Sequence, residues 1–179
     1  KNPKNTFGSQ GKAPTTRIGS AALLREALLS ATQYVAKQKR GDKDWKFDPK
    51  LENMAKVIRK EIPLRIHAHR ADDILTAIRI GQEFDIDFTM EHCTEGHLIA
   101  DEIVKNNVTV CVGPTVWRRA KVETKNISPT TPGVIARAGG RVAIITDHNI
   151  VPQHYFRIAV GFCIREGMPE VELAALFEA

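Results

Sequence analysis

From residue 62 onward, short apolar segments alternate with amphipathic ones, and this alternation constrains the fold more than any other feature. Strands are predicted at 64–68, 86–92, 108–112 and 141–146. Helical patterns follow them at 71–84, 95–106, 130–138 and 152–166. Such strand–helix units in succession predict an α/β fold with a parallel sheet, because a helical crossover joins each strand to the next in the same direction.

Two architectures satisfy this alternation: a doubly wound sheet, and a (β/α)8 barrel or part of one. The sequence contains no GxGxxG and no Walker loop, so nothing in it supports nucleotide binding. The segment before residue 62 reads as a loop followed by two helices, with Thr16 and Asp48 as the predicted N-caps. We therefore divide the chain into an N-terminal loop and helical segment, 1–61, and a strand–helix domain, 62–179.

Histidines cluster at the ends of the predicted strands. In the first strand, His67 and His69 are two residues apart and point to the same face, at the C-terminal end where α/β proteins carry their chemistry. His92 ends the second strand, and Asp147 and His148 follow the fourth. Because the C-terminal ends of parallel strands lie together, we expect these side chains to meet at one edge.

Imidazole nitrogens and a carboxylate at one edge make a candidate site for zinc or a similar divalent ion. Asp147 is alternatively a general base, since a carboxylate beside a metal-activated water takes its proton. A single strand-end histidine is more often a hydrogen-bonded structural residue. Recurrence after three strands favours the functional interpretation, whereas His97 and His154, on helical stretches, are interpreted as structural.

Composition narrows the class of protein. The net charge is +5, but the basic residues are spread along the chain and aromatic residues make up only 6%, so no nucleic-acid partner is predicted. Three cysteines without a CxxC indicate neither disulfides nor a zinc ribbon. No apolar run is long enough to span a bilayer and no signal peptide opens the chain, which predicts a soluble, cytoplasmic protein without a membrane partner.

Four short segments resemble, in their order and spacing, the amidohydrolase superfamily and within it the imidazolonepropionase-related amidohydrolases. The segments are 66–73, 91–96, 112–114 and 144–148. The resemblance implies a metal-dependent (β/α)8 hydrolase that acts on carbon–nitrogen bonds of amides. Members carry an HxH pair on the first strand, histidines after the fifth and sixth strands, and an aspartate after the eighth.

The resemblance also implies roles for individual residues. His67 corresponds to the fifth-strand metal ligand, and His92 to the sixth-strand histidine that binds a second metal or contacts substrate. Asp147 corresponds to the eighth-strand aspartate, which binds metal and moves the proton, so His92 and Asp147 are the expected catalytic residues. The expected substrate contacts are His69, Arg70 and His148. Zinc is the expected metal, and a small cyclic or peptide-like amide the expected substrate.

The strand count decides which part of the barrel this chain resembles. The pair His67 and His69 is itself an HxH, but only two predicted strands separate its strand from the one that ends at Asp147. That spacing fits strands five to eight, so we expect a piece of a longer enzyme, inactive by itself. Open sheet edges then predict a homo-oligomer. The alternative is a non-catalytic α/β scaffold or binding domain with structural histidines.

Overall fold

The computed structural model describes residues 8–119 and 121–169. The chain divides into two compact units. The first joins the N-terminal part, up to Leu64, with Arg79–Phe88, and the second joins Arg65–Ile78 with the part from Thr89 onward. The division into domains at residue 62 remains a prediction.

Two helices form most of the first unit, and both begin where capping residues predict. Helix α1 (Arg17–Arg40) starts after Thr16, whose hydroxyl accepts the Gly19 N–H at 2.9 Å. Helix α2 (Pro49–Ile58) starts after Asp48, whose carboxylate accepts two backbone N–H groups of the first turn. Apolar side chains of these helices contribute to two core clusters, one around Leu28 and Val57, which Ile80 and Ile86 complete, and one around Tyr34 and Ala55.

The strand–helix units follow in the predicted order. Their strands are β1 (Leu64–Ala68), β2 (Phe88–His92), β3 (Thr109–Val112) and β4 (Val142–Ile144). Their helices are α3 (Ala71–Glu83), α4 (Ala100–Lys105), α5 (Thr130–Arg137) and α6 (Phe156–Arg165). The α/β prediction is thereby confirmed. The apolar spacing that follows Pro169 predicts a further helix, which lies outside the described residues.

One sheet contains the strands of the described ranges, in the order β1-β2-β3-β4. β2 pairs in parallel with β3, with Thr89 opposite Thr109, and β3 pairs in parallel with β4. Spatial order follows chain order without a reversal, as in consecutive strands of a (β/α)8 barrel and unlike a doubly wound sheet, which reverses at its switch point. The fold is therefore consistent with part of such a barrel, and the numbering of its strands as five to eight stays a prediction.

Burial alternates along β1, β3 and β4 and separates the two faces of the sheet. In β3, Val110 and Val112 are buried, whereas Thr109 and Cys111 are only partly covered. On the buried side, Ile144 of β4 packs with Val160, Cys163 and Met168. The sheet thus has one core face, and its opposite face carries polar side chains.

An ion pair joins β1 to β2 on that polar face. The Arg65 guanidinium donates to both Glu91 carboxylate oxygens, at 3.0 and 2.8 Å. The Glu91 side chain is only 11% exposed and that of Arg65 is 70% exposed. The Arg65 hydrogen bonds lower the pKa of Glu91, so the buried carboxylate stays ionised.

Several element boundaries differ from the sequence-based expectation. The strand predicted at 86–92 begins at Phe88, and the one predicted at 141–146 covers only Val142–Ile144. The helix predicted at 95–106 is a 3-10 turn (Gly96–Leu98) followed by α4, because Ile99, with φ −139°, interrupts it. None of the helices in the described ranges has the length and apolar character that a bilayer-spanning segment requires.

Candidate functional site

The candidate site consists of three imidazoles at the C-terminal ends of β1 and β2. His67 lies within β1, His69 follows that strand, and His92 is the last residue of β2. The strand ends are joined by a hydrogen bond from the Cys93 N–H to the Ala68 carbonyl, at 3.0 Å. The strand register thus brings together the histidines that the sequence singled out.

The three rings are in mutual contact. The ring centroid of His67 lies 4.0 Å from that of His92 and 4.9 Å from that of His69. The centroids of His69 and His92 are 4.8 Å apart. Two nitrogens approach directly, since Nε2 of His67 lies 3.2 Å from Nε2 of His69.

Hydrogen bonding fixes the tautomer of His92. Its Nδ1 lies 2.7 Å from the backbone oxygen of Gly113, and a carbonyl oxygen only accepts, so Nδ1 carries the proton. In a neutral ring the Nε2 atom then keeps its lone pair, which is the state that metal-binding histidines require. The backbone of His92 has φ 70°, in the left-handed region that is uncommon for residues other than glycine.

His69 is held from its other side. Its Nδ1 lies 2.8 Å from the Thr94 hydroxyl, and the residue is 8% exposed. Burial, with the nearby His92, lowers the pKa of His69 to about 3. The ring is therefore neutral near pH 7, as a metal ligand or a hydrogen-bond acceptor must be.

The donor chemistry of the pair His67 and His69 fits a divalent ion. Two nitrogens bound tetrahedrally to one zinc, each at 2.0–2.1 Å, lie about 3.3 Å apart. The two Nε2 atoms are 3.2 Å apart, which also suits a hydrogen bond between neutral rings. Within the described ranges, however, no group of three or more His, Cys, Asp or Glu side chains is arranged to hold a metal ion. The structure therefore offers a pair of donors, with His92 in ring contact, and not a closed ligand set.

Asp147 and His148 lie beyond the end of β4 and line a separate cavity. The cavity measures about 600 Å³, and its described walls come from residues 144–148, 153, 154, 156 and 157, without the three imidazoles. Asp147 is exposed and has φ 52°. Nδ1 of His148 accepts the Gln153 N–H at 3.3 Å, which leaves the Nε2 atom of a neutral ring as a donor. The roles predicted for Asp147 and His148 stay predictions.

Arg70, a predicted substrate contact, is engaged within its own chain segment. Its guanidinium donates to both carboxylate oxygens of Asp72, at 2.9 Å each. Asp72 lies in the first turn of α3, where the positive end of the helix dipole also stabilises its negative charge. A substrate anion would have to compete with this pair.

Sequence reasoning missed the part played by the segment that follows β2. One Glu95 carboxylate oxygen accepts the Ala71 N–H at 2.9 Å, and the other accepts the Asn126 side-chain amide at 2.7 Å. The Glu95 N–H donates to the His69 carbonyl, so this buried residue connects three chain segments. The available signal was a pair of polar residues, Thr94 and Glu95, directly after a strand end.

Comparison with known proteins finds a solved structure that is similar to this chain. No family model and no curated protein matches the chain. A solved structure does, and it has the fold of an amidohydrolase. It is an amidohydrolase from Thermotoga maritima MSB8, similar to this chain with a TM-score of 0.89 and 36% sequence identity. The similarity covers 97% of this chain and 46% of the Thermotoga protein, so this chain spans about half the length of that relative.

The similarity supports an amidohydrolase fold for this chain and suggests a hydrolase. It does not establish membership of the imidazolonepropionase-related group, a bound metal or the substrate. Those remain proposals.

Proposed function

We propose that this chain provides part of the active site of a metal-dependent hydrolase that cleaves carbon–nitrogen bonds in small amides. The observation that carries the proposal is the cluster of His67, His69 and His92, in a chain similar to an amidohydrolase. The proposal includes membership of the imidazolonepropionase-related group, because the segments that resemble it contain these histidines.

In this proposal His67 and His92 bind zinc or a similar divalent ion, together with Asp147. Because the Nε2 atoms of His67 and His69 are 3.2 Å apart, His69 is proposed as a second metal ligand beside His67. The backbone oxygen of Gly113 orients His92 so that Nε2 is the lone-pair nitrogen of its neutral ring, and the Thr94 hydroxyl holds His69. A bound ion supplies Lewis acidity toward an amide carbonyl and activates water near neutral pH.

Asp147 is the proposed proton carrier. An exposed carboxylate after a strand end can accept a proton from attacking water. The same group then delivers that proton to the leaving nitrogen. His148, which presents an Nε2–H donor beside Asp147, is a proposed contact for a substrate oxygen, and Arg70 is a proposed contact for a more distant part of the substrate.

Activity is proposed for a protein in which the remaining barrel strands are present, since this chain spans 46% of the Thermotoga relative. By itself the chain should bind metal weakly, because a partial ligand set lacks closed geometry. Exposed edges of the sheet also lead us to propose association with a second copy of the chain.

Metal titration of the chain, after dialysis against a chelator, tests the donor set. Calorimetry should detect zinc binding, and His67→Ala should weaken it at least about tenfold. His97→Gln is the matched control, since the His97 ring lies outside the cluster, with Nδ1 2.9 Å from the Thr131 hydroxyl oxygen. Equal zinc affinity in wild type and His67→Ala would contradict the proposed ligands.

Turnover tests the chemistry in a protein that contains this segment and the remaining barrel strands. Asp147→Asn should abolish hydrolysis of amides and, because Asp147 is also a proposed ligand, should lower the metal content. Unaltered turnover would refute the proton-transfer role. If replacing both His67 and His92 left the fold and a partner interaction intact, without any hydrolysis in the parent, the scaffold alternative would stand.

A further inference from the structure

We propose that the N-terminal helical unit contains a second binding site, for a small aromatic carboxylate. The site is a cavity of about 400 Å³ formed by the second half of α1, the connection that follows it and the start of α2. All of its lining residues lie in the first compact unit. The proposal is independent of the hydrolase chemistry proposed above.

Aromatic side chains form the walls. The rings of Tyr34 and Trp45 pack at a centroid distance of 5.5 Å, tilted by 42°. Both rest on the core cluster that contains Ala55, so this wall is fixed. Phe47 also lines the cavity and is 63% exposed, so its ring is accessible to a ligand. A flat apolar ligand body would cover these rings.

The two carboxylates that line the cavity are already engaged. The Asp44 carboxylate accepts from the Lys37 ammonium at 2.8 Å, and the Asp48 carboxylate accepts two N–H groups at the start of α2. Tyr34 donates its hydroxyl proton to Glu52. A cationic ligand would therefore have to break an existing ion pair or helix cap.

Two hydrogen-bond donors of the cavity remain available to a ligand. The Trp45 indole N–H is buried and has no acceptor among the described residues, although buried indole N–H groups usually find one. Lys46 lines the same cavity, is exposed, and forms no ion pair within the described ranges. An anionic ligand with an acceptor oxygen complements both groups. Because the Trp45 N–H is buried, a wall side chain has to move to admit the ligand, and the exposed Phe47 ring is the one that we propose moves.

Size and charge together define the class of ligand. A cavity of this volume lies at the small end of the range for small-molecule sites. It suits a single ring that carries a carboxylate, such as phenylacetate. The carboxylate would accept from Trp45 Nε1 and pair with Lys46, while the ring packs on Trp45 and Phe47.

Nuclear magnetic resonance of the indole N–H groups tests the proposal directly. The chain has two tryptophans, so Trp117→Phe leaves Trp45 as the only indole signal. Titration of the 179-residue chain with phenylacetate should move that signal downfield in a saturable manner. Benzyl alcohol, which lacks the charge, should bind more weakly.

Two lysine variants complete the experiment. Lys46→Gln should weaken phenylacetate binding by about two- to fivefold, as expected for one exposed charge pair. Lys43→Gln, on the same connection but outside the cavity, should leave it unchanged. The proposal is overturned if the Trp45 signal stays in place at millimolar phenylacetate, if benzyl alcohol binds equally well, or if both variants behave alike.

Discussion

The imidazole of His92 donates its Nδ1 proton to the backbone oxygen of Gly113, at 2.7 Å, and so couples the end of β2 to the residue that follows β3. Gly113 is suited to this position because its φ is 152° and a Cβ there would lie 1.9 Å from the Ile145 carbonyl oxygen. The orientation of one site histidine therefore depends on a glycine in the next strand–helix unit.

Replacing Gly113 should lower the stability of the fold and disturb the orientation of His92. Gly113→Ala forces the Ile145 backbone to move and places alanine in a conformation it rarely adopts, so the free energy of unfolding should fall by about 2–4 kcal/mol. Gly161→Ala is the matched control, because a Cβ there meets nothing within 4 Å and helix propensity favours alanine. Urea denaturation measures both, and a Gly113→Ala protein as stable as wild type would contradict the geometry.

Acid should destabilise the fold through His69. The pKa of this residue is about 3 in the folded chain and near 6.5 when unfolded, so between these values the unfolded state binds the extra proton. Stability should therefore fall as the pH decreases from about 6.5 toward 3, with a slope of at most about 1.4 kcal/mol per pH unit from this group. Urea titrations of metal-free protein across this range measure the slope. His69→Gln should remove that component, and an unchanged slope in the variant would assign it to other groups.

Local features of the fold were predictable from the sequence because their causes are local. Thr16 and Asp48 cap the predicted helices since each cap requires only a few adjacent residues. The meeting of His67 and His92 followed from strand parity and the parallel arrangement. Contacts between distant residues were not predictable, and the Glu95 hydrogen bond to Ala71, which spans 24 positions, is one of them.

The limits of periodicity explain the remaining differences. Apolar spacing continued through 95–106 although the helix is interrupted at Ile99, because side-chain pattern does not report one backbone dihedral. The sequence placed Asp147 after a strand, but its exposure and the cavity it lines depend on the segment 153–157 folding beside it.

The ion pair across β1 and β2 should contribute more to stability than the exposed pair of Arg165 with Glu166. Arg65→Gln removes the bidentate partner of a largely buried carboxylate, and should lower the free energy of unfolding at pH 7. Arg165→Gln, at an exposed pair with Glu166, should cost at most about 0.5 kcal/mol. Thermal or urea unfolding measures the stability of the two variants. Equal losses of unfolding free energy would mean that the burial of Glu91 does not strengthen its ion pair.

Thiol chemistry provides a test of the buried face of the sheet. Burial raises the pKa of Cys93 to about 12 and also raises that of Cys163, so neither thiol ionises appreciably at pH 8. Cys111, on the opposite face, is only partly buried, although burial and then the Glu91 charge raise its pKa too. A disulfide reagent at pH 8 should therefore modify Cys111 slowly and first, and all three thiols only in denaturant. Mass mapping of the modified peptides identifies the order, and rapid labelling of Cys93 in the folded chain would show that the face between β2 and α4 is not closed.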